Sequence, residues 1–77
     1  MTYRDAVQEL TDIIGSAFSP ASVVTEDSTL ADIGLDSLEV VEAVLLIEDR
    51  WPEVEGKLDG VELKTTVGDI ARLVAHA

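Results

Sequence analysis

Ser37 stands between Asp36 and Leu38 in the stretch ADIGLDSLEVVEAVLL, residues 31–46, where an apolar helix begins. A serine there can be a helix-start residue with no further task, a catalytic nucleophile, or the acceptor of an attached group. The nucleophile fits worst. A nucleophile elbow has the form G-x-S-x-G, whereas Leu38 and Glu39 follow this serine, and the chain's only histidine, His76, lies near its end. Metal chemistry is served no better. DSTLADIGLDSLE lacks the aspartate spacing and central glycine of a calcium loop, cysteine is absent, and one histidine with scattered carboxylates defines no ligand set. A phosphate ester on Ser37 is favoured modestly, because a helix N-terminus offers free amides and a partial positive charge, against which Asp36 and Glu39 act.

The elements that must position this serine can be read from periodicity and caps. A first helix is expected from Thr2, where T-x-x-D with Asp5 resembles a capping box; Tyr3, Val7, Leu10 and Ile14 keep the helical period, and Gly15 offers a stop. Residues 16–36 hold a proline and several serines and threonines without a sustained period, so they form a long loop. Its Phe18, Val23, Val24, Leu30, Ile33 and Leu35 are expected to pin it to the core, which makes it ordered. A second helix opens at Asp36, with Glu39 completing a D-x-x-E arrangement, and ends near Arg50 or Trp51 ahead of Pro52. A last helix is capped by Thr66 with Asp69 and carries Val67, Ile70, Ala71 and Val74 on one face. Between them, the glycines of EVEGKLDGVELK allow at most one short helical turn, and ASVVT is too brief for a strand. The expectation is an all-α bundle of three to four helices in a single domain, residues 1–77.

The second helix bears two apolar stripes. At about 100° per residue, Val40, Val44, Ile47 and Trp51, flanked by Ala43, form one. Leu38, Val41 and Leu45 form another, roughly 130° away, beside Glu42, Glu48 and Asp49. Only one stripe can be the main core face, and the other is either a surface strip or more core covered by the loop.

Charge narrows the partners. Sixteen acidic residues against five basic ones give a formal net charge of −11 and a pI near 4.1. Such a chain repels nucleic acid and anionic membranes and attracts basic surfaces. It is no disordered acidic tail, since 47% of its residues are hydrophobic. A chain of this length buries only about 60% of its unfolded surface, and without disulfides packing must hold it. Neither a secretory leader nor a membrane-length apolar run is evident, which makes a cytoplasmic protein the expectation.

VTEDSTLADIGLDSLEVVEAVLLIEDRW resembles the acyl carrier protein family, whose signature is a D-[LI]-G-x-D-S-L-x-x-V-E run in which the serine bears a 4′-phosphopantetheine arm. TTVGDIARLV is similar to that family's last helix, so the resemblance spans nearly the whole chain. It implies that Ser37 accepts the arm from coenzyme A through a phosphopantetheinyl transferase, and that acyl groups ride on the arm's thiol as thioesters. It also implies that Asp36 helps present the serine. Leu38, Val41, Glu42, Leu45, Glu48 and Asp49 would then face partners: acyl-transferring, ketosynthase or ligase enzymes with basic docking patches.

Two stretches depart from the pattern. VEGKLDGVELK replaces an I-P-D-x-x-A-E type segment, which puts the local geometry and a housekeeping fatty-acid role in doubt, and Trp51 stands where the family commonly has phenylalanine. The resemblance implies a monomeric carrier in fatty-acid or polyketide biosynthesis that catalyses nothing, and the charge and residue pattern add the expectation of no metal, nucleic acid or membrane among its partners. The alternatives are a stand-alone aminoacyl or peptidyl carrier, or an acidic helical adaptor or nucleic-acid mimic without a prosthetic group.

Overall fold

The computed structural model describes residues 1–20 and 23–76. Three α-helices follow one another, α1 at Tyr3–Ala17, α2 at Ser37–Arg50 and α3 at Val67–Ala75, with a short 3-10 turn at Pro52–Val54. The all-α expectation holds, and the candidate fourth helix is only that turn. Among the described residues the nearest thing to a strand is one isolated antiparallel bridge between Thr29 and Thr66. The ASVVT stretch lies partly outside the described residues, at positions 21 and 22.

Each helix begins where a side chain can take up free amides. Thr2 accepts from the Asp5 amide at 3.1 Å, Asp36 from the Glu39 amide at 2.8 Å and Thr66 from the Asp69 amide at 3.0 Å. In α2 and α3 the third helical residue reaches back to the cap's own amide, completing a capping box. The expected stop at Gly15 is overturned, for α1 continues to Ala17. A glycine ends a helix by turning left-handed, and among the described residues only Gly34 and Gly56 have a positive φ. The helix ends instead at Phe18, whose backbone is extended, with φ −127° and ψ 161°.

One core joins all the elements. Ala6, Leu10 and Ile14 of α1 meet Val67, Ile70, Ala71 and Val74 of α3, and Val40, Ala43 and Ile47 of α2, with Trp51 just past its end, close it. α1 packs chiefly on α3, whereas α2 touches α1 more lightly and rests on the 3-10 turn. Burying each large aliphatic side chain contributes about 1.5–3 kcal/mol, so this cluster is the main stabilising feature.

The long loop is tied down mostly as expected. Leu30, Ile33 and Leu35 are buried and Phe18 and Val24 pack against the core, but Val23 is 84% exposed. Neighbouring side chains outside a helix tend to face opposite ways, and here Val24 takes the inward place. The 53–65 segment, left open by the sequence, buries Val54 and Leu58. A polar clasp closes the far end. The Tyr3 hydroxyl donates to Glu26 Oε1 at 3.2 Å, and the Arg72 guanidinium lies 5.5 Å from the Tyr3 ring centroid. Burial first, then the Glu26 carboxylate, raises the Tyr3 phenol above its ordinary value of 10.0, so it stays a donor at neutral pH.

Candidate functional site

The approach to Ser37 is a tight, cross-bonded turn. Thr29 and Asp32 exchange bonds, the Thr29 amide donating to Asp32 Oδ2 at 3.1 Å and the Asp32 amide to Thr29 Oγ1 at 3.0 Å. Gly34 follows at φ 93°, a conformation in which a side chain would be strained. Its amide bonds Ala31 O at 3.0 Å and the Leu35 amide bonds Leu30 O at 3.1 Å, so the chain reverses sharply. Because Leu30, Ile33 and Leu35 are buried around it, the turn is fixed to the core and delivers Asp36 to one place.

Asp36 is the N-cap, with an extended backbone at φ −101° and ψ 179°. Its Oδ1 accepts the Glu39 amide, while Glu39 Oε1 accepts the Asp36 amide at 3.1 Å. Both carboxylates beside Ser37 are thus occupied in holding the helix start. Ser37 is the first residue of α2 and is exposed. No described residue hydrogen-bonds its hydroxyl, and His76 caps the far end of α3. The arrangement leaves this serine exposed at the capped start of the helix.

Beside Ser37 opens a groove of about 480 Å³, walled by Val40 and Val41 of α2 and by Val61, Glu62, Leu63 and Lys64 of the segment before α3. Backbone pairing to the approach turn holds that segment. The Ala31 amide bonds Leu63 O at 2.8 Å, the Leu30 amide bonds Thr65 O at 3.1 Å, and the Val67 amide bonds Ser28 O at 2.9 Å. These wall residues escaped the sequence analysis, although VELK alternates apolar and charged residues, the pattern of an extended half-buried segment.

The two stripes of α2 separate cleanly. Val40, Ala43, Ile47 and Trp51 are buried and Val44 is half-buried against the core, whereas Leu38 is 68% exposed, Val41 56% and Leu45 60%, so the outer stripe is surface and the loop does not cover it. Glu42 and Asp49 are exposed on its border. Glu48 is half-buried, its Oε2 accepting the Gly56 amide at 3.2 Å, so it also anchors the chain after the 3-10 turn. Leu46, assigned to neither stripe, is 39% exposed and faces a separate hollow with Asp12, Ile13, Ser16 and Ala17.

The cations leave this face acidic. Arg50 turns back to Glu9 of α1 and lies 5.1 Å from the Trp51 ring centroid. Arg4 pairs with Glu26 and Arg72 with Asp69. Among the described residues, neither Glu42 nor Asp49 takes part in a salt bridge.

A family described as "Phosphopantetheine attachment site" matches residues 4–74. An acyl carrier protein of Streptomyces coelicolor is 36% identical over 77 residues, covering 96% of this chain and 83% of that protein. One from a Sulfurovum species is 36% identical over 58 residues, 75% of this chain and 76% of the relative. "Acyl carrier protein 2, chloroplastic" of Hordeum vulgare is 33% identical over 73 residues, 92% of this chain and 56% of that longer protein. No solved structure matches.

Proposed function

Since this chain belongs to the acyl carrier protein family and takes a covalent 4′-phosphopantetheine, we propose that Ser37 is the attachment residue and that the acyl cargo comes from fatty-acid or polyketide assembly. One observation carries the assignment: Ser37 is exposed at the start of α2, its hydroxyl without a hydrogen-bond partner among the described residues, with an apolar groove beside it. The residues fit such a group. An ester on this oxygen projects outward without displacing a capping bond, since Asp36 and Glu39 cap through their own carboxylates. When bound, the arm supplies the thiol that a chain without cysteine lacks.

In this reading the protein's own residues hold, present and dock. Gly34 and the buried Leu35 aim Ser37, and Asp36 keeps the helix start rigid for the transferase. Leu38, Val41 and Leu45 offer a narrow apolar contact, with Glu42 and Asp49 steering basic partners and Glu48 bracing the strip's far end. Exposed charge pairs are individually weak, which suits a carrier that must leave each enzyme. The chain acts as a monomer and as one carrier domain over residues 1–77, a unit supported by the single core running from Ala6 to Val74. A cytoplasmic location belongs to the same proposal. Separately, no helix among the described residues is long and apolar enough to cross a membrane.

Intact-protein mass spectrometry tests this directly. The wild type incubated with coenzyme A, magnesium and a broad-specificity phosphopantetheinyl transferase is expected to gain one phosphopantetheinyl group, and Ser37→Ala none, with both showing the same helical spectrum. A gain on Ser37→Ala would move the attachment elsewhere. A folded wild type left unmodified by several transferases would favour the adaptor.

A further inference from the structure

The groove wall contains one cation in an otherwise acidic neighbourhood. Lys64 lines the same groove as Ser37, its side chain 85% exposed, with its Nζ 3.6 Å from Glu62 Oε1. Arg4, Arg50 and Arg72 are each committed to a carboxylate elsewhere, and Lys57 lies outside the groove lining. Ser37 itself is flanked by Asp36 and Glu39 and faces Glu62 across the groove.

Resting on the assignment of the arm to Ser37, we propose that Lys64 is a positioning residue for it, leaving Glu62 to pair with the phosphodiester that joins the arm to the serine. A phosphodiester keeps a negative charge at every physiological pH, and at Ser37 it enters a ring of carboxylates. The Glu62–Lys64 pair that it must displace is exposed and hence weak. A lysine suits the exchange, being a compact charge on a flexible stem, and a charge-assisted bond to phosphate is stronger than a neutral one.

Geometry also selects the root of the arm over its cargo. The phosphate is fixed at Ser37 on the groove's rim, whereas the acyl end is carried away by a flexible linker. The backbone beneath Lys64 does not drift, because Leu63 O and Thr65 O are bonded to the amides of Ala31 and Leu30. Pairing with the phosphodiester therefore draws the arm toward the groove between α2 and residues 61–64, away from the Leu38 side of the helix.

The test compares loaded wild type, Lys64→Met, Glu62→Gln and Lys57→Met by phosphorus NMR at low and high salt, after mass spectrometry has established loading. Lys64→Met, which keeps the apolar stem, is expected to shift the phosphodiester resonance and abolish its salt dependence. Glu62→Gln, which removes the competing partner, is expected to move it the other way, and Lys57→Met to leave it in place. Melting curves of unloaded and loaded forms give a second readout: Lys64→Met should lower the melting temperature more after loading than before. An unshifted resonance, or equal melting changes before and after loading, would overturn the role of Lys64 while leaving Ser37 as the attachment residue. Failure of the wild type to load would overturn both.

Discussion

α2 and α3 start with the same device and come to opposite ends. Each is opened by a reciprocal capping box, Asp36 with Glu39 and Thr66 with Asp69. Past the cap, α3 sinks at once: Val67 and Gly68 are buried, and the Gly68 amide donates to Glu26 O at 2.8 Å. α2 does the reverse, leaving Ser37 and Leu38 exposed. Equal local chemistry thus yields a buried helix start in one place and an exposed one in the other. What differs is the packing. α3 lies along α1, while α2 sits at the edge and keeps a face free.

The largest effect should separate the two faces of α2. Ile47→Ala empties a site that is 1% exposed and is expected to cost about 2–5 kcal/mol, a large share of a small domain's stability. Leu45→Ala on the outer face should stay within about 0.5 kcal/mol in urea unfolding, yet raise the transferase KM. Equal losses of stability at the two positions would break the contrast.

A somewhat smaller effect should mark the buried start of α3. A Cβ at Gly68 would meet Tyr3 Oη at 2.7 Å and Glu26 O at 2.9 Å, so Gly68→Ala is expected to cost about 1–3 kcal/mol. Adding Tyr3→Phe removes one of the two obstacles and should recover part of that loss. The backbone carbonyl remains, so full recovery in thermal melts would mean that the close approach to Glu26 is not what excludes a side chain.

The smallest difference in stability sharpens the comparison most. Asp36→Ala and Thr66→Ala each remove one cap and should each cost about 1 kcal/mol. Only Asp36→Ala is expected to slow modification of Ser37 in a time course at matched fraction folded. If both variants loaded at the same rate, Asp36 would be a cap and nothing else.

Much of this was legible beforehand because it is written over short distances. T-x-x-D and D-x-x-E caps act between residues three apart, and the 3.6-residue period assigns Val40, Ile47, Ile70 and Val74 inward. The stop assigned to Gly15 failed for the same reason in reverse: a glycine is permissive, and whether it turns left-handed depends on the residues after it, here an extended Phe18. Val23 and Val24 are indistinguishable by type, and only the core decides which one it takes.

The sequence by itself determined three helices, their capped starts, the acidic surplus and the serine at the head of α2, because each depends on near neighbours or on composition. The tertiary structure alone decided that α2's second stripe is left uncovered, that Gly68 must be a glycine, and that Val61–Lys64 form a wall beside Ser37. The wall and the close approach at Gly68 arise where residues 26–31 bond residues 63–68, more than thirty positions along the chain, and the bare stripe follows from α2 lying at the edge of the fold. Pairing over that distance leaves no local period or cap to read, and only the closed fold brings the two segments together.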